Sequence, residues 1–491
     1  MICYSGTFDD IHQRFARGWA YNALEPDTRI PLEIWIDGVK WRRVDADLFR
    51  EDLLKNGVGD GRHGFSIRLP KMVFDGAEHI LGVHVADSQQ ELNNSPQNYC
   101  AEKQSVSALK WVDYRDYSRL LLANLIRTPQ QNQQLAVEEQ VDGKIRLSAL
   151  PVLVTVDTTS VCNLKCVMCP HGIMEIEKKH LAPELFSRTL PFIPFACEIQ
   201  LYGLGEPLTS SSFWNCAKAG VYHPETLVVI NSNALLLNER CATRLLDSAI
   251  GVVNFSMDAA TETSYHKIRG GDWGLVIENI ERFRKMRDAR GKCSPLIYLN
   301  MLIMRENFSE INGFVKIAHD IGVDGILLRG LNRYSDEEMS RYVVRRKDWV
   351  FDYKEQGLWD NRALYEEEIL RARKLADQYG LRWVDRDTEE VGFFRVMDNH
   401  RLKSESAPQS SMQGIKECGY PWEWLMINID GNVRPCCYAK KFIGNLYEMS
   451  SDEIWNGVAM QEVRRKILAG EIPELCRGAD CKFVNIEKLK Q

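Results

Sequence analysis

The stretch PVLVTVDTTSVCNLKCVMC, residues 151–169, decides the fold. It opens on an apolar run, Val152–Val156, that reads as a buried strand. It closes on three cysteines, Cys162, Cys166 and Cys169, in the loop that follows. Downstream the same alternation repeats. Strand candidates are Val152–Val156, Glu198–Tyr202, Leu227–Asn231, Val252–Met257, Leu296–Ile303 and Gly325–Arg329. Helical runs fall between them at Pro183–Leu190, Ser211–Gly220, Asn238–Ser248, Trp273–Arg290 and Phe308–Ile321, and Arg362–Tyr379 follows the sixth strand. Repeated βα units imply a parallel sheet with helices outside. Such sheets bind ligands at the carboxyl ends of their strands, and every motif below lies at or near such an end.

Three thiolates spaced four and three residues apart can wrap one corner of a cubane. A [4Fe–4S] cluster is normally held by four cysteines, so three local ones leave one iron open to a substrate. The competing reading is a zinc knuckle with His171 as fourth ligand. Zinc sites favour paired two-residue gaps separated by a longer span, which this loop lacks.

The CxxxCxxC motif at the head of a six-fold βα array resembles the radical S-adenosylmethionine (SAM) superfamily over about residues 151–385. The resemblance implies a partial (β/α)6 barrel within an α/β fold. It also implies that SAM chelates the open iron and is reductively split to methionine and a 5′-deoxyadenosyl radical. That radical then removes a substrate hydrogen atom. Further motifs match. Tyr202-Gly203-Leu204-Gly205-Glu206-Pro207 resembles the family's Gly-Gly-Glu motif, whose glycines let the backbone approach the methionine end of SAM. Glu206 or nearby carbonyls would hold its ammonium. Asn231-Ser232-Asn233 ends the third strand and Ser256-Met257-Asp258 the fourth. Asn231, Ser256 and Asp258 are candidates for the SAM ribose and carboxylate, with Arg269 a carboxylate partner. Each of these polar residues also suits a helix cap. Arg329 ends the sixth strand, and it and Asp258 are candidate catalytic groups; the sequence does not identify the base.

Five of the 14 cysteines fall at 418, 436, 437, 476 and 481. Cys418, Cys436, Cys476 and Cys481 match one fully ligated [4Fe–4S] cluster; Cys437 adjoins Cys436 and competes with it as ligand. A structural zinc site is the alternative. The segment Cys418…Asp430-Gly431-Asn432-Val433-Arg434-Pro435-Cys436, then Gly444-Asn445-Leu446 and Ile454-Trp455, resembles the auxiliary-cluster extension called SPASM in its long form and twitch in its short form. A ligated cluster can accept an electron from substrate. Short-form members oxidise alcohols of sugars or aminocyclitols, so the expected reaction is dehydrogenation of a carbohydrate-like or cyclitol substrate. The alternative is modification of a ribosomally made peptide or protein. A non-enzymatic metal-binding scaffold is the remote one.

The N-terminal hundred residues read as strands. Leu32–Ile36 and Val39–Val44 flank Asp37-Gly38, a hairpin signal. The division expected is an antiparallel β accessory domain at 1–100, a helical connector at 101–150 (with Trp111–Ile126 helical), the barrel at 151–385, a linker at 386–417, serine-rich near Ser404–Ser411, and the auxiliary-cluster domain at 418–491. The stretch from Gly18 to Pro70 weakly resembles modules beside bacterial glycan-modifying enzymes.

Of the 491 residues 45% are hydrophobic, and the net charge is −6 with both signs interleaved. That is no basic nucleic-acid surface. No run approaches the roughly 20 apolar residues of a membrane span, and no basic-then-apolar signal peptide opens the chain. The expected location is the cytoplasm, where thiols stay reduced. The expected partners are a small-molecule or glycan-type substrate, or a peptide, and an electron donor such as flavodoxin or ferredoxin.

Overall fold

The computed structural model describes residues 4–12, 15–69, 73, 78–88, 90–100, 127–217, 226–292, 294–332, 336–346, 349–358, 362–385, 415–477, 481 and 483–484. The helix expected at Trp111–Ile126 and the serine-rich bridge near Ser404–Ser411 lie outside the described residues. Contacts divide the chain into two units, 1–109 and 110–491. No helix among the described residues is long and apolar enough to cross a membrane.

The strands of the first unit pair antiparallel. Its strands are β1 (Ser5–His12), β2 (Phe15–Tyr21), β3 (Pro31–Ile36), β4 (Val39–Asp45), β5 (Leu48–Phe49), β6 (Arg62–Arg68), β7 (Glu78–Val85) and β8 (Gln97–Cys100). They form two four-stranded sheets, ordered β1-β2-β6-β5 and β4-β3-β7-β8. The Asp37-Gly38 hairpin is present: both residues have positive φ, 51° and 77°, as a type I′ turn requires. Alternation buries Ala16 and Ala20 of β2, and Phe8, Ile34, Phe65, Leu81 and Val83 complete the core.

The second unit is built on one ten-stranded sheet. Its strands include β9 (Leu153–Val156), β10 (Glu198–Gln200), β11 (Leu227–Ser232), β12 (Ile250–Ser256), β13 (Leu296–Ile303) and β14 (Gly325–Gly330), the six expected from the sequence. A small antiparallel pair, β15 (Val343–Arg346) and β16 (Trp349–Asp352), follows. Then come β17 (Arg382–Asp385), β18 (Trp424–Ile427), β19 (Asn432–Arg434) and β20 (Gly444–Asn445). The sheet order is β17-β14-β13-β12-β11-β10-β9-β18-β19-β20.

Two pairings, those of β17 and β18 with the barrel strands, are not expected from the sequence, which reads Trp424–Ile429 and Asn432–Arg434 only as a hairpin around Asp430-Gly431. β17 is a seventh parallel strand, paired with β14; a four-residue strand containing Arg382 gives too short a signal to read. β18 pairs in parallel with β9, Trp424 opposite Leu153 and Ile427 opposite Val156. The tail hairpin β18–β19 therefore extends the barrel sheet.

Register sets the two faces. Thr155, Gln200, Val229 and Val252 stand side by side across β9 to β12. Val229 and Val252 pack with Tyr298, Leu327 and Val384 on one face. The other face, including Val154, Ile199, Val228, Ile230, Val253 and Phe255, joins the helices in the main core. The helix Trp273–Ala289 buries Val276, Ile280 and Phe283 there and starts where the Asp272 carboxylate caps the Leu275 N–H. The inner row is polar at β9 and β10. Thr155 Oγ1 donates to Gln200 Oε1 at 2.8 Å and accepts from Trp424 Nε1 at 3.0 Å.

The segment 144–150, just before β9, has no regular structure, yet its backbone groups are paired by side chains. Asn456 brackets Leu147, accepting from its N–H at 2.9 Å and donating to its carbonyl at 3.0 Å. Trp455 Nε1 donates to Ala149 O, Trp422 Nε1 to Lys144 O, and the buried Arg464 to Ile145 O and Pro421 O. From the other side Glu139 accepts from Ser148 and Ala149, and Asn132 binds both backbone groups of Leu150.

Removing a side chain that satisfies buried backbone groups costs about 1–3 kcal/mol for each orphaned group. Asn456→Ala is expected to destabilise the second unit by about 2–4 kcal/mol, with the unfolding midpoint in denaturant falling accordingly. Asn456→Asp, which keeps the acceptor alone, falls between the two.

Candidate functional site

The loop after β9 has no helix or strand of its own, so neighbours must pair its backbone. Ser160 N–H donates to Lys179 O, and Val167 N–H to Ile268 O, both at 3.0 Å. From the β10 side, Gly205 N–H donates to Thr159 O and Glu206 N–H to Val161 O. Within the loop Cys169 N–H donates to Cys166 O, and the short helix Pro170–Ile173 begins at Cys169. Cys166 is buried, with Cys162 and Cys169 half-buried.

The three thiols lie close enough to raise one another's proton affinity. Burial is the larger cause: it pushes Cys166 up to about 12 and raises Cys162 and Cys169. Thiolates at this spot therefore need a strong positive partner. Arg269 is buried beside them, and its charge lowers the proton affinity of all three. Soft thiols grouped in one loop suit an iron–sulfur cluster.

The glycine motif packs on this loop. A Cβ on Gly205 would fall on the carbonyls of Thr159 and Val161, and a Cβ on Gly203 on the carboxylate of Asp157. Glycine at 203 is thus required by a carboxylate that the sequence reading passed over. Glu206 is buried, and its carboxylate accepts from Leu208 N–H at 3.1 Å, Ser232 Oγ at 2.9 Å and Asn233 N–H at 2.7 Å. It ties the end of β10 to the end of β11. Asn233 also donates to Asn163 Oδ1 at 2.8 Å, which links the third strand end to the cysteine loop.

The remaining candidates fall on neighbouring strand ends. Asn231 Oδ1 accepts from Asn254 Nδ2 at 2.8 Å, and Ser256 is half-buried at the end of β12. Asp258 has φ of 58°, an uncommon left-handed conformation for a non-glycine residue. Its carboxylate accepts from Leu302 N–H at 2.7 Å and pairs with Arg269. Arg269 Nε has no hydrogen-bond partner. Arg329, at the end of β14, donates to Asn332 Oδ1 at 2.8 Å. Asp258 is thus occupied in shaping the strand end and in holding Arg269 beside the thiols.

The tail cysteines form a second group. Cys418, Cys436 and Cys481 are buried and Cys476 is half-buried. Cys418 senses Cys481 and Cys476, and Cys436 senses Cys437, Cys418 and Cys476. Burial raises each of Cys418, Cys436 and Cys476 above its ordinary value, Cys476 to about 12. Cys437 is exposed. Cys476 also senses Cys481, and Cys436 and Cys437 differ in burial. Arg434 lies over the Phe442 ring at 4.5 Å, with its charge facing Cys436 and Asp157.

The fit of Gly203 against Asp157 generates a direct test. Gly203→Ala is expected to destabilise the chain by about 1–3 kcal/mol, the usual cost of overpacking. Asp157→Ala in the same chain recovers most of that loss in the denaturation midpoint.

Comparison with known proteins agrees with the two cysteine groups. A model of the radical SAM superfamily matches residues 156–318, and one of the SPASM iron–sulfur cluster-binding domain matches residues 418–482. The chain is 26% identical over 192 residues to a tungsten-containing aldehyde ferredoxin oxidoreductase cofactor-modifying protein of Pyrococcus furiosus, covering 38% of this chain and 53% of the relative. It is 26% identical over 178 residues to the mycofactocin maturase MftC of Mycobacterium ulcerans, covering 35% and 45%. The chain spans about half the length of the curated relatives it matches. Among solved structures, Streptococcus suis SuiB bound to S-adenosylmethionine aligns with a TM-score of 0.48 at 15% identity, over 72% of this chain and 78% of that one. The first cysteine loop thus lies in a segment, residues 156–318, that matches the radical SAM superfamily, and the tail cysteines in a C-terminal segment, residues 418–482, that matches the SPASM domain.

Proposed function

We propose that this protein is a radical SAM maturase that modifies a gene-encoded peptide or protein. One observation carries the enzymatic part: three mutually sensed thiols in a loop clamped beside Arg269 and the Gly203–Glu206 turn. The names of the curated relatives, a maturase and a cofactor-modifying protein, support a maturation substrate over the carbohydrate or cyclitol expected from the sequence.

When bound at Cys162, Cys166 and Cys169, the cluster supplies the electron that splits SAM to methionine and a 5′-deoxyadenosyl radical. The chain's own residues do the rest by binding and placement. Cys162, Cys166 and Cys169 would hold the cluster through their thiolates. Arg269, kept in place by Asp258, offers a cation to the SAM carboxylate. Glu206 already accepts from Leu208, Ser232 and Asn233, so backbone carbonyls near the Gly203–Gly205 turn are the proposed acceptors for the SAM ammonium. Asn231 and Ser256 present polar groups at adjacent strand ends for the ribose. Cys418, Cys436, Cys476 and Cys481 would hold an auxiliary cluster, whose chemistry would be to accept an electron. A flavodoxin or ferredoxin delivers the electron consumed in SAM cleavage.

The anaerobically reconstituted protein is expected to show iron–sulfur charge-transfer absorbance and to form 5′-deoxyadenosine only when a reductant is present. Cys166→Ala abolishes that formation. Cys481→Ala retains part of it and loses product, measured as the mass change of a peptide encoded beside the enzyme's gene. Full turnover by both variants contradicts the assigned roles, and a product mass change on a sugar but on no peptide contradicts the substrate class.

A further inference from the structure

Asp157 is a carboxylate at the inner face of the sheet that the motifs do not account for. Asp157 directly follows β9 and, by strand alternation, lies on the same face as Thr155. It is half-buried, and its Oδ1 is enclosed without a hydrogen-bond partner. Three elements face it: the Leu204 N–H after β10 donates to the carboxylate, Arg434 of β19 offers positive charge, and Asp430 in the turn before β19 offers negative charge. Asp430 is itself held by Lys179 at 2.9 Å. Arg434 Nε lacks a hydrogen-bond partner, and its guanidinium also faces the buried Cys436. Asp157 is therefore joined to the first cysteine group by a short stretch of chain. It is joined to the second through the field of one arginine.

We propose that Asp157 accepts the proton released from substrate when the auxiliary cluster takes up the substrate's electron. This rests on the function proposed above. Once a hydrogen atom has left a substrate carbon, a radical remains beside a bond to hydrogen. Forming the double bond releases one electron and one proton. The electron goes to the cluster held by Cys418, Cys436, Cys476 and Cys481, and the proton goes to the Asp157 carboxylate. The substrate radical is oxidised, the cluster is reduced, and no other reactant is needed.

The surroundings suit that task. Burial raises the Asp157 carboxyl to about 7, with the Leu204 N–H and Arg434 pulling it down and Asp430 pushing it up. A proton acceptor works best when its midpoint is near the operating pH. Negative charge arriving at a nearby cluster raises the carboxylate's proton affinity further, so electron and proton uptake reinforce each other.

The test needs no substrate. The full chain carrying Cys162→Ala, Cys166→Ala and Cys169→Ala is reconstituted so that only the tail holds a cluster. Its midpoint potential is followed by EPR across mildly acidic to alkaline pH. One proton taken per electron makes the potential fall by about 59 mV per pH unit. The expected result is that slope from about pH 7 upward and a flat response in Asp157→Asn. Arg434→Gln, which removes the charge that lowers Asp157, moves the onset to higher pH. A slope that survives in Asp157→Asn, a flat response in the parent, or an unmoved onset in Arg434→Gln overturns the inference while leaving the proposed function intact. A tail that takes up no iron–sulfur cluster overturns both.

Discussion

The cysteine loop is the part of this fold with least structure of its own and most demand placed on it. A stretch without helix or strand must bury thiols, and buried main-chain groups need partners. They are borrowed from elsewhere: Lys179, Ile268, and the Gly205 and Glu206 amides of the neighbouring turn. The glycines follow from this. A side chain at 205 would displace carbonyls of the cysteine loop, and one at 203 would displace Asp157. The position of Glu206 follows too, because its carboxylate fastens that turn to the end of β11. Three successive strand ends are thus locked to one another before any cofactor is considered.

The tail is integrated by the same kind of bond. Its first strand lies against β9, and its helices carry Asn456, Trp455 and Arg464 onto the backbone of residues 144–150. The two cysteine groups are consequently carried on adjoining parts of one sheet, β9 and β18–β19. Asp157 and Arg434 sit at that seam.

Much of this was legible in the sequence because strong local signals coincided. Six apolar runs, each bounded by helical periodicity, gave the parallel array, and the CxxxCxxC spacing marked its first loop. The Asp37-Gly38 turn gave the first hairpin through its positive φ angles. What escaped was non-local. β17 is short and partly charged, and β18 reads as a hairpin arm because pairing with β9 leaves no trace in a local window. Asp157 belongs to no motif; only the rule that strand ends carry function could have singled it out. Spacing alone does not distinguish Cys436 from its neighbour Cys437, whereas the structure buries the first and exposes the second.

The pairing of β9 with β18 also bears on how the chain is made. Thr155 meets Trp424 across 269 positions of sequence. At the usual pace of about 5–20 residues per second, synthesis takes roughly 15–50 s to deliver that partner. Until then the apolar strand Leu153–Val156 has one bare edge, the kind of surface that recruits strands from other chains. The nascent protein thus passes through an interval in which its most hydrophobic strand is half-sheltered, and chaperone demand should concentrate there.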